Sequence, residues 1–540
     1  MNTLKEFYNN HLCRKSFFLP LVFFVIVAYS FPIYNKTLYI DDLNRDYFVG
    51  SGNIGLSGRW GAVLWVKLMG IVDFSPFIDR FLTIVFLMCA ALLFCYLLYS
   101  IDKNKNTLSY TISASIFVTY PLFNEIWIFA VSGTLAAIGL SLATMAVIVE
   151  RSSLPKWKRI LYASAFLLLP MSSYEVGVFY YITLVAIIIF YEFITGVWGD
   201  MNYGRWFKIN VNYIIPVIAA FVCRFLISFV INSIYNLDYN SGGATNIAWL
   251  HGEFLPVLKG CIVSNFYYYV VSGLVYFPLT FFVVLLVFFC SFVTFRKDNK
   301  LKSVFLALIV ILSLFLLAII QGDPMPHRHA SSITLFASFV VYLICISIKS
   351  SLRKYAYVFL FGLCWYQAVY INKLLGLDNL RSDNELSVIR QLGMRLTSEY
   401  EKKPLVVVSE HNAGEWINSQ VTVDDSTWNG RLFYDICNKL GVEMERPFMF
   451  TRRPNSVILD AVPIQELFRY CGFDIKVISY HFTRRGEPNS NFSSFQLEKE
   501  RKVLSEAIKI SKNQNLKPYQ LYDNGNYIIL HLGGKYYECN

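Results

Sequence analysis

The chain has 540 residues, 55% of them hydrophobic and only 16% charged, with a mean hydropathy of +0.45 and a formal net charge of +11. Soluble domains carry about 25% charged residues, so this composition excludes an ordinary soluble enzyme over most of the length and points to a polytopic membrane protein. The positive charge forms no single stripe of the kind that binds nucleic acid; it recurs in short clusters between apolar runs, as cytoplasmic loops require.

A membrane-crossing helix needs about 20 apolar residues. Lys5, Arg14 and Lys15 precede "SFFLPLVFFVIVAYSFPIY" (16–34), and no small-residue cleavage site follows, so this run reads as an uncleaved first span. Further spans are predicted at 81–100, 109–127, 130–149, 158–171, 175–195, 212–234, 274–295, 303–320, 331–348 and 355–372, about eleven in all. The run "AVLWVKLMGIV" (62–72) is too short to cross and reads as an interfacial amphipathic helix. The predicted architecture is thus an all-α membrane domain over 1–372, with a first outer loop at 35–80.

Basic residues in short loops set the orientation. Lys103 and Lys105, then Arg151, Lys156, Lys158 and Arg159, then Arg205 and Lys208, then Arg296, Lys297, Lys300 and Lys302, and finally Lys349, Arg353 and Lys354 fall in alternate loops. These loops and the N-terminus are expected in the cytoplasm. The loops 35–80, 124–129, 171–174, 235–273 and 321–330 are expected outside, with the tail. That tail, 373–540, changes to charged, globular composition. Strand-like runs "PLVVVS" (404–409) and "NYIILHLG" (526–533) alternate with helix-like stretches 429–441 and 463–471, which predicts an extracytoplasmic α/β domain. The 11 cysteines include no CxxC pair; Cys89, Cys95, Cys223, Cys290, Cys345 and Cys364 lie in apolar runs and read as small hydrophobes. Cys437, Cys471 and Cys539 leave room for one disulfide in an oxidising compartment.

Ionisable residues at the outer side form the candidate site. In "YIDDLNRD" Arg45 lies at i+3 and i+4 from Asp42 and Asp41, within reach of either carboxylate on a helical turn. Two adjacent carboxylates at a membrane rim raise the pKa of one of them, which suits a general base acting on a sugar hydroxyl; the plain alternative is a solvated loop with a surface ion pair. "SGRWG" (57–61) ends a run with Gly at 50, 52, 55, 58 and 61, and offers Arg59 and Trp60 either to a ligand or as an interfacial anchor. "QGDPMPHRHASS" (321–332) brings His327, Arg328 and His329 to one outward loop, as a phosphate clamp or as a solvated basic turn. Its histidines lack a third ligand, so no metal site is read there. "SSYEVG" (172–177) puts Glu175 at the start of a span, and Arg224 lies near the middle of another, where it requires a carboxylate or phosphate partner. Either serves a functional site or joins an ion pair between helices. Glu125 and Glu253 are lesser candidates of the same type.

An outward first loop with paired acids, about eleven spans and an outer C-terminal domain together resemble the C-type glycosyltransferase fold. More narrowly, "YIDDLNRD", "SGRW", "SSYEVG" and the His-Arg-His loop are similar to the phage-type, serotype-converting O-antigen glucosyltransferases of enteric bacteria. The resemblance covers most of the membrane part and says little about the tail. It implies an inner-membrane enzyme that takes glucose from undecaprenyl-phosphate glucose and gives it to an O-antigen (lipopolysaccharide) acceptor on the periplasmic side. Asp41 or Asp42 would be the base, with Arg45, Arg59 and Arg328 as candidates for the phosphate. The chemistry requires no cofactor and no metal. A phosphate leaving group has a second pKa near 6 and departs with little protonation, so cations that hold its charge matter more. Two other classes fit parts of the pattern. A polyprenyl-linked sugar transporter or flippase would also carry intramembrane charges, but more often shows internal repeats, and none is visible. A non-enzymatic O-antigen assembly protein would have no need of Asp41 and Asp42. The sugar, its linkage and the oligomeric state are not legible in this sequence.

Overall fold

The computed structural model describes residues 2–35, 59–69, 76–123, 130–197, 210–235, 247–250, 252–266, 288, 300–322, 331–400, 403–411, 461–478, 494–517 and 519–536. Contacts divide the chain into two compact units: of the described residues, the first holds those up to Tyr34 and from Arg59 to Leu375, and the second holds Asn35 and those from Gly376 onward.

The first unit is helical. A short N-terminal helix α1 (Asn2–Phe7) runs into one π-helical turn (Tyr8–Leu12), followed by α2 (Lys15–Tyr34), α3 (Trp60–Leu68), α4 (Pro76–Asp102), α5 (Thr107–Thr119), α6 (Ala130–Glu150), α7 (Lys156–Ser173), α8 (Val176–Ile194) and α9 (Ile214–Tyr235). Next come α10 (Phe254–Phe266), α11 (Lys300–Leu314), α12 (Leu316–Gln321), α13 (Ser331–Ser347) and α14 (Ser350–Glu399). Among the described residues, helices α2, α4, α6, α8 and α9 are long and apolar enough to cross a membrane, and α5, α11 and α13 are shorter apolar helices. The chain is a multi-pass membrane protein. The run predicted at 274–295 lies almost wholly outside the described residues.

Several boundaries differ from the hydropathy reading, each for a local reason. The helix expected at 81–100 starts at Pro76, because proline at the first helical position sacrifices no intrahelical hydrogen bond. The run 109–127 ends as a helix at Thr119, two residues before Pro121. The run 303–320 breaks at Phe315, and the second piece closes on Gly322 at φ +72°, a left-handed position that suits glycine. The helix expected to stop at 372 continues to Glu399. The composition changes at 372, but the helix runs through it without a break.

The core is built around α5. Every residue from Ser109 to Thr119 is buried, and the helix is rich in hydroxyls and small side chains that let neighbouring backbones approach closely. Ser113 donates to the Ser338 carbonyl at 3.0 Å, and Ser338 donates back to the Ser113 carbonyl at 2.7 Å, which joins α5 to α13. Thr119 donates to Gln367 of α14 at 2.6 Å. Lipid offers these groups no water, so they bond to one another.

At the end of the bundle that carries the N-terminus, Asp102 closes α4 and accepts three phenols. Tyr191 of α8 donates at 2.6 Å, Tyr342 of α13 at 2.5 Å and Tyr110 of α5 at 3.2 Å. One carboxylate therefore ties four helices. Nearby, Arg151 pairs with buried Glu192, and His11 bonds Thr107 at 3.0 Å.

The second unit contains the C-terminal part of α14, strands β1 (Leu405–Val407) and β2 (Ser409–His411), helix α15 (Ala461–Tyr470), β3 (Val477–Ile478), helix α16 (Ser494–Asn513), then β4 (Leu521–Asp523), β5 (Ile528–Leu530) and β6 (Gly533–Tyr536). Four strands form a sheet in the order β3-β1-β5-β4, with β1 parallel to both neighbours and β4 antiparallel to β5; β2 pairs with β6 separately. The central β1 is buried along its length, which is why "LVV" shows no alternation. Leu467 and Phe468 of α15 and Leu504 and Ala507 of α16 are buried in the same unit. The stretch 429–441 lies outside the described residues, as do Cys437 and Cys539, while Cys471 is a free thiol.

Replacing Asp102 by Ala leaves three buried phenols without their acceptor and is expected to lower stability by about 3 kcal/mol, since a hydrogen bond to a charged group contributes about 1.5–3 kcal/mol. Asp102→Asn, which keeps an acceptor oxygen, should lose less. Thermal unfolding of the purified protein in detergent measures both; equal stability of native protein and Asp102→Ala would contradict this role.

Candidate active site

The site grows from a tight turn. The helix α7 ends at Ser173 and α8 begins at Val176, so only Tyr174 and Glu175 join the two helices. Tyr174 adopts an extended backbone (φ −148°, ψ 107°) while its amide still bonds the Pro170 carbonyl at 3.0 Å. Glycine packing allows the close return. A Cβ on Gly177 of α8 would come within 2.8 Å of the Pro170 side chain and 3.0 Å of the Gly139 carbonyl on α6. Glu175 is thereby held immediately before α8, at the positive end of that helix. Tyr191, in the Asp102 cluster, lies 16 residues further along the same helix, about 24 Å away at 1.5 Å per residue.

Two arginines converge on this carboxylate. Arg59 Nη2 lies 3.3 Å from Glu175 Oε2, and Arg224 Nη2 lies 3.2 Å from Oε1. The side chains of Arg59, Glu175 and Arg224 are 31%, 37% and 18% exposed, so the group is neither fully solvated nor sealed. The Arg59 guanidinium also sits over the Tyr174 ring, 5.8 Å from its centroid, a cation–π contact.

Arg59 is delivered by α3. The face Gly61, Ala62, Val63 and Val66 is buried, and Leu64, Lys67 and Leu68 point outward. Gly61 is required for the contact with α7: a Cβ there would clash with the Ser172 hydroxyl and lie 3.0 Å from the Ser172 carbonyl carbon. The last glycine of "SGRWG" therefore acts through close approach. It seats α3 on α7 and brings Arg59 to the turn that carries Glu175. The stretch predicted as an interfacial helix is this element, and it is helical over 60–68.

Of the residues singled out in sequence, the fold brings Arg59, Glu175 and Arg224 together, with Trp60 following Arg59 in the chain. Arg224, expected to need a carboxylate or phosphate partner, pairs with the Glu175 carboxylate. The Arg59 Nε and the Trp60 indole N–H are buried and have no hydrogen-bond partner among the described residues. Glu253 lies just before α10 and forms no part of the cluster. Asp41, Asp42, Arg45, Glu125, His327, Arg328 and His329 lie outside the described residues. No group of metal-ligating side chains occurs among the described residues.

Two neighbouring charges escaped the sequence reading. Asp79 and Arg80 are each only 2% exposed on the first turn of α4. The apolar run begins at residue 81, so hydropathy places both in the preceding loop; an Asp-Arg pair directly before a long apolar run is the available signal.

The chemical character of the cluster follows from its count. Among the described residues two guanidiniums share one carboxylate, so these three side chains together carry one net positive charge. If Glu175 couples to Arg224 as the distances indicate, the stability effects of Arg224→Met and Glu175→Gln will not add. A double-mutant cycle on thermal or denaturant unfolding should give a coupling of about 1–2 kcal/mol. Strict additivity would show the contact to be energetically idle.

Residues 30–371 match the family described as glucosyl transferase GtrII, well over half of the 540 residues. No curated protein matches the chain. One similar solved structure is ArnT from Cupriavidus metallidurans bound to undecaprenyl phosphate, with 12% identity, coverage of 77% of this chain and 87% of that chain, and a TM-score of 0.41. The family match takes in the last turn of α2, the first loop, the Arg59–Glu175–Arg224 cluster and the helices from α3 to the middle of α14. The chain is a membrane glycosyltransferase and belongs to the GtrII glucosyl transferase family.

Proposed function

We propose that this enzyme moves a glucosyl residue from a polyprenyl-phosphate donor, undecaprenyl-phosphate glucose, to an O-antigen sugar on the periplasmic side of the bacterial inner membrane. The observation that carries the reading is the Arg59–Glu175–Arg224 cluster, with two cations on one carboxylate. A polyprenyl-phosphate sugar is a phosphodiester with one negative charge, a ligand suited to two guanidiniums. When the glycosidic bond to phosphate breaks, the second negative charge develops on the leaving oxygen. Guanidiniums already in place stabilise that charge without reorganising, commonly the largest catalytic contribution.

Glu175 holds Arg59 and Arg224 in position before the donor arrives, so the ordering of two long side chains is complete beforehand. Arg59 Nε and Trp60 Nε1 are buried N–H donors beside this cluster with no partner among the described residues. Asp41 or Asp42 takes the proton from the acceptor hydroxyl as that oxygen attacks the anomeric carbon, and Arg45 orients or tunes the pair; these roles rest on their sequence. Arg328, between His327 and His329, is a second candidate for the phosphate on the same ground. The loop charge asymmetry supports a cytoplasmic N-terminus with an outward first loop and an outward C-terminal unit, the periplasmic α/β domain of this reading.

Asp41→Asn and Asp42→Asn test the assignment, because each keeps size and hydrogen bonding while removing basicity. The base variant should lose roughly 10²–10⁴-fold in transfer rate, and the other should lose less. Both should insert normally, and the comparison is made at equal membrane protein levels. Native transfer rates in both variants would remove the first loop from the chemistry.

A further inference from the structure

Glu175 divides its carboxylate between two arginines. Its Oε2 accepts from Arg59 Nη2 at 3.3 Å, and its Oε1 accepts from Arg224 Nη2 at 3.2 Å. This carboxylate therefore holds each guanidinium at one nitrogen, without the paired contacts that fix an arginine's plane. For Arg59 a second constraint comes from the residue next to Glu175: its Cζ lies over the Tyr174 ring, 5.8 Å from the centroid. We infer that Tyr174 is a positioning residue, which sets the orientation of Arg59 before the donor phosphate arrives. This inference rests on the proposed reading that the Arg59–Glu175–Arg224 cluster binds that phosphate.

The turn brings both contacts to one guanidinium. Tyr174 is extended, Glu175 is already helical (φ −62°, ψ −12°), and these consecutive side chains both reach Arg59. Tyr174 is buried, and its amide is tied to the Pro170 carbonyl at 3.0 Å. Arg59 stands directly before α3; its carbonyl accepts the Ala62 amide at 3.0 Å, and α3 is seated on α7 where Gly61 meets Ser172. Both backbones are thus held, and what remains to be ordered is the long arginine side chain.

That ordering is where the ring acts. Arginine has among the largest rotamer freedoms of any side chain, and fixing it during binding subtracts from affinity. An aromatic face attracts a guanidinium through its quadrupole and restricts where the cation can go. The contact exists in the donor-free protein, so its loss removes no contact to the donor. It leaves Arg59 pivoting on one oxygen of Glu175, and the donor then has to order it. The effect of Tyr174 on the donor therefore exists only while residue 59 is a cation.

The test measures binding of polyprenyl-phosphate glucose, labelled in the sugar, to the full-length purified protein in detergent, with the thermal midpoint of each variant. Tyr174→Leu removes the ring, and Tyr174→Phe keeps it without the hydroxyl. Tyr174→Phe with a fluorinated ring keeps the shape and weakens the negative face. The expected result is a dissociation constant raised about five-fold in Tyr174→Leu, with most of the affinity kept in Tyr174→Phe. Fluorination should raise it above that of Tyr174→Phe at an unchanged thermal midpoint, which decides the matter even if Tyr174→Leu fails to fold. In an Arg59→Gln background, Tyr174→Leu should change the dissociation constant by less than about two-fold. Native affinity in Tyr174→Leu, or equal affinity with and without fluorine, would overturn the role of the ring and leave the cluster as a phosphate site. A loss that persists undiminished in Arg59→Gln would equally overturn it, since Tyr174 would then act through the turn and not through Arg59. If the native protein binds no donor, or Arg59→Gln binds it as tightly as native, the cluster reading fails and this inference fails with it.

Discussion

Three chain segments meet at the Glu175 carboxylate: the turn between α7 and α8, the residue before α3, and the middle of α9. An arginine within an apolar helix is tolerated only where its charge is met, and Glu175 meets two. The surrounding packing serves this meeting. Gly139, Pro170 and Gly177 let α6, α7 and α8 close tightly enough to leave a two-residue turn, and Gly61 lets α3 lie against Ser172. A larger residue at Gly61 would move Arg59, and a longer turn would move Glu175.

The bundle treats its charges differently at its two ends. At the end carrying the N-terminus, Arg151 has one carboxylate to itself, and Asp102 is surrounded by phenols from three helices. Those groups are matched and hold helices together. At the Glu175 turn the cations outnumber the carboxylate, and neighbouring buried donors have no described partner. A surplus of positive charge among the described side chains of a partly exposed turn is poor design for stability alone. It is well suited to an anionic lipid-linked substrate that binds, reacts and leaves as a more highly charged product.

Much of this was legible in the sequence because membrane helices announce themselves through length and apolarity. The runs at 16–34, 130–149, 175–195 and 331–348 lie on helices within one or two residues, and Arg224 demanded an acidic partner on electrostatic grounds alone. The identity of that partner was less accessible, since Glu175 and Arg224 are 49 residues apart and only packing brings them together. Arg80 was missed because a hydropathy window discards charges at its edge, although a helix can bury them in its first turn. The strand "PLVVVS" was readable from its β-branched run. Its place between β3 and β5 was not, because parallel pairing joins segments distant in sequence and leaves no local mark.

The central claim is that the cationic cluster serves group transfer from a lipid-linked phosphate sugar. Purified protein in lipid vesicles, given undecaprenyl-phosphate glucose labelled in the sugar and a lipid-linked O-antigen acceptor, tests it most directly. The account predicts label on the acceptor, with one undecaprenyl phosphate released per glucose transferred and dependence on Arg59 and Arg224. Label that moves across the bilayer while remaining on its polyprenyl carrier, with none reaching the acceptor, would contradict it.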